Sequence, residues 1–139
     1  MSISISIDCK VDNIIEIKAC LQCFMKQEWS LLFDGEICYL PLADSDMYNW
    51  STATEPDIDR VFDELHSKQK ASEVIGIVVV DKHTSCGGEL LIWSDYFSFS
   101  LTFTINKSNM REVDYYIHRL KESIQMCDLQ LICTEVGSL

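Results

Sequence analysis

From Tyr96 to Ile105 the chain alternates strictly, with Phe97, Phe99, Leu101, Phe103 and Ile105 set against Ser98, Ser100, Thr102 and Thr104. Side chains point to opposite faces along a strand. The spacing therefore predicts a strand with one large apolar face and one hydroxyl face that can stay wet. Leu90, Leu91 and Ile92 form an apolar run before it, and Asp95 sits where the reverse turn between two strands belongs. A face carrying three phenylalanines needs a cover, so helices or a second sheet must lie across it.

The same reading extends along the chain. Residues 2–8 alternate Ser and Ile, a strand with Ile3, Ile5 and Ile7 facing in. Over residues 12–26 the period changes: Ile14, Ile17, Leu21 and Phe24 follow helical spacing, with Asp12 as the expected N-cap. Trp29–Phe33 and Glu36–Leu40 flank Asp34-Gly35, a hairpin signal because both turn residues must accept positive φ. Residues 42–53 show no period and are expected to form a long loop. Thr54-Glu55-Pro56-Asp57 opens a helix whose apolar stripe is Ile58, Val61, Phe62 and Leu65, with Thr54 as its cap. Val74–Val80 is a β-branched run that suits a buried strand. Gly87-Gly88 is read as a turn ahead of the Leu90 strand. Ser108 caps a last helix with a stripe of Met110, Val113, Ile117, Leu120 and Ile124, and Leu129–Val136 closes the chain as a strand. The expected order is β-α-β-β-α-β-β-β-α-β. This is an α+β fold, an antiparallel-rich sheet with about three helices on one face, in a single domain spanning residues 1–139.

Composition narrows the function classes. The net charge is −11, and its distribution is uneven: residues 1–27 are neutral, residues 28–81 carry −9, and residues 82–139 carry −2. An acidic chain gains nothing from phosphate backbones, so direct nucleic-acid binding is disfavoured. Seven cysteines, most of them inside apolar patterns such as Ile37-Cys38-Tyr39, read as small core residues of a reducing compartment. The Ser/Ile N-terminus lacks the charged and continuous apolar regions of a signal peptide, and no run reaches the length of a membrane span. The expectation is a cytoplasmic protein with no membrane association and with reduced thiols.

Chemical motifs are few. Cys20-Leu21-Gln22-Cys23 is one C-x-x-C without the second pair that a structural zinc site needs, and on a helix it reads as packing, so no metal is expected. Cys86 near His83 could form a thiol–base pair, but the short loop offers no evident group to orient the histidine. No phosphate-binding loop, dinucleotide fingerprint or nucleophile elbow is present, and no cofactor is expected. The remaining constellation is the acidic, aromatic middle: Asp34, Glu36, Asp44, Asp46, Tyr48, Trp50, Glu55, Asp57 and Asp59. Aromatic anchors within a carboxylate rim suit the capture of a basic protein. The plainer reading is that the aromatics are core and the acids merely solvated.

Gly87-Gly88-Glu89-Leu90-Leu91-Ile92-Trp93, then Phe97 through Lys107, then Val113-Asp114-Tyr115-Tyr116-Ile117 resemble bacterial immunity proteins of contact-dependent growth inhibition and other polymorphic toxin systems. The resemblance covers roughly residues 85–135. It implies a small cytoplasmic protein that is not an enzyme and that neutralises the C-terminal domain of a cognate toxin, often a nuclease. Members diverge where they touch their toxins, so the resemblance assigns no binding residue. Two other readings stand beside it: an acidic adaptor or structural subunit, and a thiol enzyme using Cys86 and His83.

Overall fold

Strand β7, Tyr96–Thr104, lies well inside an eight-stranded antiparallel sheet, the fold class that its alternation predicts. The computed structural model describes residues 2–14, 16–43, 47–104, 109–127 and 129–138. Its elements are β1 Ser2–Val11, α1 Ile17–Lys26, β2 Trp29–Ser30, β3 Glu36–Tyr39, β4 Ser51–Thr54, α2 Ile58–Lys70, β5 Ile75–Asp81, β6 Gly87–Trp93, β7, α3 Asn109–Met126 and β8 Leu131–Ser138. A single 3-10 turn, Glu55–Asp57, leads into α2. The order is the expected one with one short strand more, β4, inside the stretch read as a loop. The sheet runs β4-β3-β5-β6-β7-β1-β8, and β2 pairs with β5 beside that path.

One face of the sheet holds the core. Ile7, Cys9, Val11, Ile37, Tyr39, Ile75, Ile77, Val79, Leu90, Ile92, Phe97 and Phe99 alternate onto it and are buried. The helices cover that face. Phe24 of α1 stacks on Phe97 with ring centroids 6.0 Å apart, and Tyr116 of α3 tilts against Phe99 at 6.4 Å. Burying each large side chain stabilises the fold by roughly 1.5–3 kcal/mol, which explains why the phenylalanine face draws the helices over it. The opposite face is only partly open: Leu40 and Trp50 lie over Gly76 at its β5 end, and Ser6 is buried. Across β6, β7, β1 and β8 its register reads Trp93, Tyr96, Lys10, Cys133, then Leu91, Ser98, Asp8, Glu135, then Glu89, Ser100, Ser6, Gly137.

Several expectations are corrected. Trp29–Phe33 does not pair with Glu36–Leu40. Only Phe33 and Glu36 meet, in a bridge of two backbone hydrogen bonds at 2.8 and 3.0 Å across the Asp34-Gly35 turn. That turn has the expected positive φ at both residues, 50° and 77°. The first arm pairs with β5 instead, Trp29 opposite Asp81, while Tyr39 lies opposite Ile77 further along the same strand. Residues 31–38 thus form an excursion between two short pairings. Gly87 and Gly88 are not a turn; they begin β6 opposite Val80 and Val79. A Cβ on Gly87 would stand 2.6 Å from the Val79 carbonyl oxygen, so close backbone approach is what requires glycine there. Asp12 does not cap α1, which starts after Glu16. Its carboxylate accepts from the Gln130 N–H at 3.1 Å and ties β1 to the segment before β8. Thr54 ends β4 and makes no side-chain capping bond. Ser108 and Ile105 lie outside the described residues.

The thiols depart most from expectation. Cys23 and Cys127 form a disulfide that joins the end of α1 to the end of α3, with Cα atoms 5.8 Å apart. Cys9, Cys20, Cys38, Cys86 and Cys133 are free, and of these Cys86 and Cys133 are exposed. With Cys23 and Cys127 bonded, the expected seven reduced thiols of a reducing compartment are not what the fold holds. No helix among the described residues is long and apolar enough to cross a membrane.

Candidate functional site: the acidic hairpin and the open sheet face

The predicted site residues fall into two groups at opposite ends of the β3–β4 hairpin. Glu36 lies opposite Thr54, so the Asp34-Gly35 turn and the Glu55–Asp57 turn stand side by side. Asp34, Glu36, Glu55, Asp57 and Asp59 are all exposed at this end. Asp57 makes a loose surface pair with Arg60 at 3.8 Å. The other end, about 10 Å away along a four-residue strand, carries Tyr48 and Trp50. Asp44 and Asp46 lie outside the described residues.

The chain's entry into this second end is held by α2. Lys68 is fully buried, and its Nζ donates to the Leu40 and Pro41 carbonyls at 3.1 and 3.0 Å. Glu64 accepts from the Leu42 N–H at 2.9 Å and from the Tyr39 hydroxyl at 3.1 Å, and Glu73 accepts from the Ala43 N–H at 3.0 Å. Some acids counted as surface charge therefore serve the backbone. Trp50 is half-buried on the open face. A Cβ at Gly76 would meet Leu40 at 2.6 Å and the Trp50 ring at 3.0 Å, so glycine leaves room for both. Tyr39 is core, whereas Tyr48 is 43% exposed.

Sequence reasoning missed Phe33. It closes the run read as a hairpin arm, and it is 56% exposed, directly beside Asp34 and Glu36. The run fails as a strand because its hydrogen-bonding partner is β5 for only two residues. A single exposed apolar side chain is ordinary on a protein surface; what sets Phe33 apart is its place on a tight turn beside two carboxylates.

A second polar cluster, also unforeseen, joins β5 to α3. Asp81 is fully buried and accepts from Tyr115 at 2.6 Å and from the His83 N–H at 3.0 Å, with Arg119 at 3.5 Å. Arg119 also donates to the Gln27 carbonyl and lies over the Trp29 ring, 4.6 Å from its centroid. Trp29 Nε1 donates to Ser123 at 2.8 Å. Arg119 Nε is buried there without a hydrogen-bond partner among the described residues, while Asp81 holds the loop that carries Cys86 through the His83 and Ser85 N–H groups. Thr84 and Tyr116 hydroxyls meet at 2.5 Å, and the Cys86 N–H donates to Thr84 at 3.3 Å. Tyr116 is raised well above the ordinary tyrosine range, chiefly by burial, with Thr84 opposing and Cys86 adding to the shift. Cys86 is therefore associated with Tyr116 and Thr84, while His83 is engaged through its backbone.

On the open face, Asp8 accepts from Ser6 and Ser98 at 2.8 and 2.7 Å. Tyr96, packed edge-on against Trp93 at 5.5 Å, is pushed up to about 12 by burial and by the neighbouring Asp8. Among the described residues no three His, Cys, Asp or Glu side chains gather as a metal site. A cleft of about 500 Å³ lies between the start of α1 and the end of α3, bordered by Asp12, Glu16, Cys20 and the disulfide. Compared with known proteins, the chain matches no family model, no curated protein and no solved structure.

Proposed function

We propose that the protein is a non-enzymatic inhibitor that binds a basic toxin domain, a nuclease by its need to hold phosphates, through the acidic end of the β3–β4 hairpin. The observation that carries this reading is Phe33, an exposed ring on a tight turn with Asp34 and Glu36 beside it and Glu55, Asp57 and Asp59 alongside. Carboxylates steer a basic partner during encounter, and an apolar anchor holds it once docked. An inhibitor of this kind covers the phosphate-binding surface without touching catalytic groups. The cytoplasm, where an intracellular nuclease would act, is the compartment this reading assigns. The Cys23–Cys127 disulfide pulls against that assignment, and thiol titration of protein from intact cells decides it.

The test is cell protection against the toxin encoded beside this gene, with binding kinetics on purified domains. Reversing Glu36, Glu55, Asp57 and Asp59 to Lys should cut the on-rate about tenfold or more at low salt, with added salt mimicking the effect. Phe33→Ala should raise the off-rate, costing about 2 kcal/mol, with little loss of stability because the ring is exposed. Full protection and unchanged kinetics in both folded variants would refute the interface.

A further inference from the structure

The two ends of the sheet are finished differently. β4 is four residues long and runs directly into Glu55-Pro56 and α2. β8 is eight residues long, and among the described residues no strand pairs with its outer side. It contains no proline and no lysine, two of the devices that blunt an edge; Glu135 is its one charge. Its one irregularity is the extra residue Ile132, where the register with β1 shifts. The outer side of β8 thus offers a long row of backbone donors and acceptors.

The two faces of β8 also differ. Thr134 and Val136 lie opposite Cys9 and Ile7, which are fully buried, yet Val136 is 47% exposed. The core therefore reaches the edge without cover. On the open face Glu135 lies directly opposite Asp8. Like charges in cross-strand register repel, and Asp8 is fixed in place by its two serine bonds.

We propose that the outer edge of β8 accepts an added strand from a basic partner, one that alternates cationic and apolar side chains. Cationic side chains fall beside Glu135 and relieve its repulsion with Asp8; apolar ones fall beside Val136 and extend the core. Main-chain hydrogen bonds supply the pairing, and alternate side chains supply the selectivity. Locally, Glu135 beside Asp8 opposes a second copy of this chain at the same edge and favours a cationic segment. The inference shares with the reading above only that the partner is basic. It concerns a surface about 30 Å away, six strand spacings from β4.

The probe is a blocked octapeptide of alternating arginine and valine, titrated into the whole chain labelled with ¹⁵N. Amide shifts and slowed hydrogen exchange should concentrate on β8. The same peptide N-methylated at every amide keeps its charge but cannot donate, and should bind at least about tenfold more weakly. Glu135→Lys and Val136→Asp, both at exposed positions, should each weaken binding about tenfold, while Asp57→Lys should leave it within about twofold. Equal binding of the methylated peptide would overturn the proposal, because charge alone would then suffice. Shifts confined to residues 34–59 would overturn it, as would β8 amides already protected in a chain that sediments as a dimer. No toxin enters this test, so its failure leaves the hairpin reading standing, and failure of the protection assay leaves this one standing.

Discussion

At the scale of single residues, the decisive feature is a charge placed where alternation expects an apolar side chain. Asp81 continues the inward series Ile75, Ile77 and Val79, and it is fully buried. Tyr115, the His83 N–H and Arg119 compensate its desolvation. Asp81→Ala leaves the Arg119 guanidinium without that carboxylate and the Tyr115 hydroxyl without its acceptor. It should cost about 3–5 kcal/mol, read as a shift in the urea midpoint with an unchanged slope. Tyr96 gives a test by pH. Its folded value of about 12 lies above the ordinary 10, so its contribution to stability is fully present below pH 10 and is lost as pH rises toward 12. Ultraviolet titration should show late ionisation of Tyr115 and Tyr116, which burial also raises, and of Tyr96. Asp8→Asn should bring Tyr96 only part of the way down, because burial is the larger cause and the carboxylate the smaller. A normal titration for Tyr96 in the wild-type chain would contradict the packing of Trp93 and Asp8 around it.

At the scale of elements, the helices are tied to one another as well as to the sheet. The disulfide closes a loop of 104 residues between α1 and α3. Gln27 reinforces that junction, donating to the Cys23 carbonyl at 3.3 Å and to the Ser123 carbonyl at 3.1 Å. Restricting so long a loop in the unfolded chain stabilises the fold by about 2–4 kcal/mol, so reduction should lower the midpoint of thermal or urea unfolding accordingly. Thiol labelling checks the same arrangement. The denatured, unreduced chain should label at five cysteines, and at seven only after reduction. In the native chain Cys86 and Cys133 should react first. Cys20 should stay inert near neutral pH, since burial holds its thiol up at about 12. Seven reactive thiols in the unreduced, denatured chain would remove the clasp.

At the scale of the whole molecule, two levels of information separate cleanly. Periodicity determined the class. Alternation at Phe97 and Phe99, helical spacing at Leu21 and Phe24, and the Asp34-Gly35 turn are local signals, and each residue reports its own face. They were enough for an antiparallel sheet with its helices on one side. The net charge and its concentration in residues 28–81 were also fixed by the sequence alone. Pairing was not. Trp29 joins β5 and not β3, and Cys23 meets Cys127 across more than a hundred residues, because strand partners and side-chain neighbours are chosen by packing between distant segments. The same competition decided which acids stay exposed. Glu64, Glu73 and Asp81 are spent on backbone and hydroxyl donors, while Asp34, Glu36, Glu55, Asp57 and Asp59 stay in water. Phe33 was left exposed when its strand lost its expected partner. Sequence could write which faces are apolar, since that depends on the spacing of neighbours. Only the tertiary structure could say which edges, charges and rings were left over, since that depends on which surfaces the rest of the chain had already covered.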